Sequence, residues 1–252
     1  MPVYSDALKT EVRLERMRPS QIAEAVAKRP AIYVPFGSVE WHGRQNPVGL
    51  DALKAHEQLV GLASRAGGVV YPPVFFGCGG GHGDYTWTYM VDHGPMAAIT
   101  ESLLKKFERD GFRAAILLAG HYPNEVGPTG FLGTATERYT AAGGSMKVLH
   151  LMESQAPGVP GDHAAKWETS YMLYLHSALV DMGELAGQDD DIGGAEERIN
   201  WMSDDRRQHP CYGIVGIDPR THASAEAGRK ATTDLLAYLE QWLERSGVPW
   251  HA

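Results

Sequence analysis

Apolar and polar positions recur along this chain with a period that changes from block to block, and each change marks an element. Ser20 to Lys28 reads as a short helix capped by a serine hydroxyl and ended by Arg29-Pro30, since a residue before proline is pushed out of the helical region. Ala31–Phe36 reads as a strand. From Asp51 to Ala66 the apolar residues Leu53, Leu59, Val60 and Ala63 fall at helical spacing, with Asp51 as the expected N-cap and Gly67-Gly68 as the stop. Val69–Tyr71 follows as a second strand. A helix over Met96–Arg109 leads into the apolar run Arg113–Leu118, and a helix around Gly127–Ala142 leads into Lys147–Met152; both runs read as fully buried strands. Trp167–Leu179 and Ser224–Arg245 complete the helices, while the acidic stretch Asp181–Pro210 has no assignable period.

This α-β-α-β rhythm predicts an α/β fold, a three-layer α/β/α sandwich around a mostly parallel central sheet. With 252 residues, no repeat and no Pro/Ser-rich linker, residues 1–252 are expected to form a single domain. An apolar fraction of 43% supplies its core without disulfides. The longest apolar runs fall far short of the roughly 20 residues of a membrane helix. The amino terminus lacks the basic and then apolar pattern of a signal peptide, so a cytoplasmic protein is expected. Net charge is −8, which offers no general attraction for phosphate backbones and excludes nucleic acid from the expected partners. Two cysteines, Cys78 and Cys211, are too few for a disulfide framework or a thiolate zinc site. Eleven histidines direct attention to imidazole chemistry.

In open parallel sheets ligands bind outside the carboxyl ends of the strands. Glu40 and His42 come just after the first predicted strand, Asp51 opens the next helix, His121 follows Arg113–Leu118, and His163 and Glu168 follow Lys147–Met152. All are expected at one edge. Each has a plain alternative: Asp51 as a helix cap, His121 as a structural histidine, His163 as a residue that orients a ligand. Glu40 and His42 are harder to dismiss, because Gly37-Ser38-Val39-Glu40-Trp41-His42-Gly43 sets two metal-competent side chains one residue apart in a glycine-flanked turn. The glycine-rich Gly77-Cys78-Gly79-Gly80-Gly81-His82-Gly83-Asp84 fits neither the dinucleotide fingerprint nor the P-loop. It reads as a loop or lid, with His82, Trp87 and Tyr89 as candidate substrate contacts; Trp41 and Tyr122, outside that loop, are candidates as well. His56, five residues beyond Asp51, lies about 140° around the helix and should face away.

These residues carry a resemblance. Pro35-Phe36-Gly37-Ser38-Val39-Glu40-Trp41-His42-Gly43, Leu50-Asp51, Leu118-Ala119-Gly120-His121 and His163-Ala164-Ala165-Lys166-Trp167-Glu168-Thr169-Ser170 resemble the creatininase family, in that family's order. The resemblance implies two divalent metal ions in a three-layer α/β fold, commonly assembled as a homohexamer. Glu40 and His121 would hold one ion and His42 the other, with Asp51 bridging both. His163 resembles the family's catalytic histidine. Creatinine hydrolases proper carry a metal-binding Glu two residues after the histidine of the Gly-His segment, where Pro123 stands here. Glu168 is therefore expected to complete the second ion's ligands, with Glu125 as the alternative.

Two imidazoles and three carboxylates without thiolate suit Zn²⁺, Mn²⁺ or Fe²⁺. Such a pair would acidify a shared water and polarise a carbonyl, so no serine or cysteine nucleophile is needed. The expected function is a hydrolase that opens a small cyclic substrate at a carbonyl carbon, a cyclic amide first. The alternatives are a ring ketone or lactone such as an inosose and, from another class, a metal-dependent binding domain without turnover.

Overall fold

The apolar hexapeptide Ala31–Phe36 forms β1, the central strand of a parallel sheet. The computed structural model describes residues 2–127, 130–185, 198–200, 202 and 207–250. On one side β1 pairs with β2 (Val69–Val70), on the other with β3 (Ala114–Ala119), which in turn pairs with β4 (Lys147–Met152), all in parallel. Successive strand residues point to opposite faces. Tyr33, Ile116 and Leu118 accordingly join one core with α2 (Leu50–Ala66), α5 (Lys166–Leu175) and α7 (Ala225–Arg245). Ile32, Val34, Phe36 and Leu117 join a second core with α3 (His93–Arg109) and α4 (Leu132–Ala141), against which Ala25 and Val26 of α1 (Pro19–Lys28) also pack. The result is the three-layer α/β/α sandwich. The short helix α6 (Pro219–His222) precedes α7, and a two-stranded antiparallel ribbon joins β5 (Arg198–Asn200) to β6 (Val215–Ile217).

Register decides where the site forms. Phe36 lies opposite Ala119, and Ala119 opposite Met152, so β1, β3 and β4 end level and their following residues leave from one edge. In the order β2-β1-β3-β4 the connections from β1 and β3 depart to opposite sides, which opens a crevice between them. Two glycines let α2 close on that crevice. A Cβ on Gly37 would lie 2.1 Å from the Ala52 amide nitrogen, and one on Gly120 would lie 2.1 Å from the Asp51 carbonyl oxygen.

Several elements differ from the sequence reading. Asp51 is not the N-cap of α2: Gly49 is, and Asp51 sits inside the first turn with its carboxylate turned into the site. β4 is the sheet edge and only partly buried, because no strand among the described residues covers its outer side. α3 begins at His93, before the expected Met96, since Pro95 in the first turn gives up an amide that has no intrahelical acceptor there. α4 begins at Leu132, later than expected, and α5 ends at Leu175, before a 3₁₀ turn over Ser177–Leu179. Much of the unassigned stretch, including Asp189-Asp190-Asp191, lies outside the described residues. No helix among the described residues is long and apolar enough to cross a membrane.

Candidate metal centre

Four connections converge at the carboxyl edge. Glu40 and His42 descend from β1, Asp51 from the first turn of α2, His121 from the end of β3, and Glu168 from the first turn of α5. Each of the five is buried, none more than 3% exposed. His121 Nδ1 lies 2.8 Å from Glu40 Oε2 and 3.2 Å from Asp51 Oδ2, while His42 Nε2 lies 3.0 Å from Asp51 Oδ1 and 3.5 Å from Glu168 Oε2. Asp51 thus turns one oxygen to each histidine. Ser38 Oγ donates to its Oδ2 at 2.6 Å and fixes that orientation.

The donor set fits cations. His42 Nδ1 donates to the Glu40 carbonyl at 3.0 Å, which leaves the lone pair of Nε2 facing two carboxylates without a directed hydrogen bond. His121 Nε2 is likewise buried without a partner. Burial alone would lower the pKa of both rings, but the charge of Asp51 on His42, and the hydrogen bonds of Asp51 and Glu40 to His121, raise each to about 10. Burial likewise opposes the charge on Glu40 and Asp51, yet the histidines hold both carboxyls below their ordinary range. The cluster therefore demands positive charge, which protons on two rings or metal ions can supply. Ligand atoms of Glu40, Asp51 and His121 lie within 4.8 Å of one another, and so do those of His42, His163 and Glu168.

His163 occupies the margin. Its backbone is clasped by β6 through reciprocal hydrogen bonds with Val215 at 2.9 Å, and its Nε2 donates to the Trp41 carbonyl at 2.9 Å. Nδ1 is then the lone-pair nitrogen of the neutral ring. Burial first, then the neighbouring His42, push its pKa well below the ordinary value, so the ring is neutral near pH 7. It stacks between His42 at 4.5 Å and His82 at 3.8 Å between centroids. His82 is buried, hydrogen bonded to the Gly213 carbonyl at 3.0 Å and 3.4 Å from Glu40 Oε1; with Glu40 and His163 it makes a third group of clustered ligand atoms. It is thus placed against the metal-competent side chains.

The other candidates are placed unequally. Trp41 donates through Nε1 to the Tyr212 carbonyl and, with Tyr85 and Tyr212, forms a partly exposed aromatic wall next to the histidine stack. Tyr122 points its hydroxyl at Glu153, behind Glu168, at 3.4 Å. Trp87 is 60% exposed, has φ +66°, and stands outside the contacts that join the site. Glu125 pairs with His150 at 2.8 Å and belongs to none of the clustered groups. His56 stays clear of the site, as the helical spacing predicts.

Three participants escaped the sequence reading. Lys54, one turn beyond Asp51 on α2, is wholly buried with Nζ 2.9 Å from Glu153 Oε2 and 3.0 Å from Glu168 Oε1. Burial disfavours its ammonium, but the charges of Glu153, Glu168 and Asp51 outweigh that and raise its pKa. Glu153 follows β4 at the same edge as the predicted ligands, and the rule that found His121 after β3 would have found it. Asp162 accepts from the Trp167 and Glu168 amides at 2.8 and 3.1 Å and so satisfies the first turn of α5.

The chain is similar to known proteins over much of its length. The chain is 25% identical to a creatinine amidohydrolase of Pseudomonas putida over 181 residues, covering 64% of this chain and 70% of that protein. It is 30% identical to a 3-dehydro-scyllo-inosose hydrolase of Thermotoga maritima over 257 aligned positions, covering 92% of this chain and 82% of that protein. Among solved structures, one described as creatininase Mn superimposes with a TM-score of 0.74 at 21% identity, over 93% of this chain and 98% of the other. The family model described as creatinine amidohydrolase matches residues 15–243, and on that match across most of its length the chain belongs to the creatininase family.

Proposed function

We propose that this protein is a metal-dependent hydrolase that opens a small cyclic substrate at a carbonyl carbon. The observation that carries the reading is the buried meeting of Glu40, His42, Asp51 and His121, in which Asp51 turns one oxygen to each histidine. Glu40, Asp51 and His121 would hold one divalent ion and His42, Asp51 and Glu168 a second, drawn from Zn²⁺, Mn²⁺ or Fe²⁺. When bound, such ions supply Lewis-acid chemistry, lowering the pKa of water toward roughly 7 and polarising a carbonyl.

The remaining work falls to the chain's own groups. His163, neutral and with Nδ1 free, accepts a proton from attacking water and returns it to the leaving atom. The Trp41 carbonyl, by accepting from Nε2, holds the ring in the tautomer that allows this. Trp41, Tyr85 and Tyr212 present aromatic faces beside it, and a flat ring such as a cyclic amide stacks on them. A ring ketone is the second reading, favoured by the inosose hydrolase relative, which aligns with 92% of this chain. Self-association, with a hexamer as the expected form, is part of the same proposal; the exposed Phe76, Trp87, Tyr89 and Ile99 are the apolar side chains it would cover.

The test is turnover of cyclic amides, lactones, cyclic imides and inososes by protein reconstituted with each metal, scored against Asp51→Ala. Ring opening of one class by the parent and not by the variant is expected. No turnover of any class, with the metals bound, would leave the binding-domain reading in its place.

A further inference from the structure

We propose that Lys54 is a positioning residue that commits Glu168 to offer a cation one oxygen, Oε2; the inference rests on the metal reading above. The two oxygens of Glu168 have different surroundings. Oε1 is taken by the Lys54 ammonium at 3.0 Å. Oε2 accepts the Ala164 amide at 2.7 Å and retains a lone pair on the side of His42, whose Nε2 is 3.5 Å away. Rotation of the carboxylate to present both oxygens to His42 would break the contact with Lys54.

Lys54 cannot follow such a rotation. Its side chain is 0% exposed, and Nζ lies 5.1 Å from the Tyr122 ring centroid and 5.5 Å from that of Tyr171, with Glu153 Oε2 at 2.9 Å. Two aromatic faces and two carboxylates enclose the ammonium. Glu153 shares the ammonium: Lys54 Nζ is held between its Oε2 at 2.9 Å and Glu168 Oε1 at 3.0 Å, and burial pushes the Glu153 carboxyl up while the lysine opposes that push. α2 supplies both the bridging carboxylate and, three residues on, the ammonium that orients the second one.

The double substitution Lys54→Met with Glu153→Gln removes the clamp together with the carboxyl that shares its ammonium, and the spectrum of the loaded protein, read beside the affinity, reports orientation. The readouts are the affinities of the two ions in titrations with Co²⁺ and the visible absorption of the Co²⁺-loaded protein. Loss of an outer partner of a metal ligand costs about 10–100-fold in affinity. The ion at His42 and Glu168 is expected to weaken by that factor with a changed spectrum, and the ion at Glu40, Asp51 and His121 to bind within about threefold of the parent. Lys54→Gln, which keeps an N–H donor on a shorter arm, is read in the same way should the double variant fail to fold. A folded variant that binds both ions as the parent does, with the same spectrum, overturns the inference alone, and equal weakening of both ions overturns it in favour of a general structural role. A parent protein that takes up no ion overturns the metal reading and this inference with it.

Discussion

At the scale of single residues, Asp51 concentrates the consequences, because one carboxylate faces His42 and His121 and is itself held by Ser38. Asp51→Ala is expected to abolish uptake of both ions, whereas His42→Ala should empty mainly one position, as elemental analysis of the purified variants will show. His163→Ala should keep both ions and lower kcat by roughly 10²–10⁴-fold, the usual contribution of a positioned acid–base group. Retention of full turnover would remove His163 from the reaction. The motifs made Glu40, His42, Asp51, His121, His163 and Glu168 legible in sequence. Lys54 was not, because a lysine on a helix is ordinarily a solvated side chain and only the neighbouring Glu153 and Glu168 give it a reason to be buried.

At the scale of elements, the site depends on how closely α2 approaches the ends of β1 and β3. Gly120→Ala places a methyl group 2.1 Å from the Asp51 carbonyl oxygen, so α2 must move. We expect a loss of about 1–3 kcal/mol or more in denaturant unfolding together with weakened ion uptake, since Asp51 moves with its helix. The opposite face of α2 carries a pH dependence. Burial, with the nearby Arg13 and His176, lowers the pKa of His56 from 6.5 to about 4. The unfolded chain then binds more protons than the folded one between those values, so stability rises with pH across that window and is lost as pH falls from about 6.5 toward 4. His56→Gln should reduce the difference in urea midpoint between pH 7 and pH 4.5, and an unchanged difference would assign the effect to other groups. The element types were legible from hydrophobic period, whereas the ends of α3, α4 and α5 were not, because a proline in a first turn and a 3₁₀ turn after a last one do not alter that period.

At the scale of the whole molecule, cations held as proposed would tie α2, α5 and the ends of β1 and β3 together, so their removal should be felt globally. Ligands that bind only the folded state stabilise it by about 2.7 kcal/mol at a hundredfold excess over Kd. Dialysis against chelator should therefore lower Tm, and readdition of one divalent metal should restore it, as calorimetry will record. Light scattering checks the association state. A monomer at all concentrations would mean that Phe76, Trp87 and Tyr89 face solvent for another reason.

Local pattern was sufficient for the element types, their alternation and hence the three-layer class, since hydrophobic period and proline act within a few residues, whereas the caps expected at Ser20 and Asp51 fall to Arg18 and Gly49. It also placed the ligand candidates at strand ends, where parallel topology puts binding sites. The tertiary structure alone decided that Asp51 serves the site instead of capping its helix, that Trp87 and Glu125 stand apart while His82 joins the stack, and that Lys54 with Glu153 braces Glu168. The reason is distance along the chain. Asp51 and His121 are 70 residues apart and Lys54 and Glu168 are 114 apart, and no short-range preference of either residue encodes which oxygen meets which nitrogen.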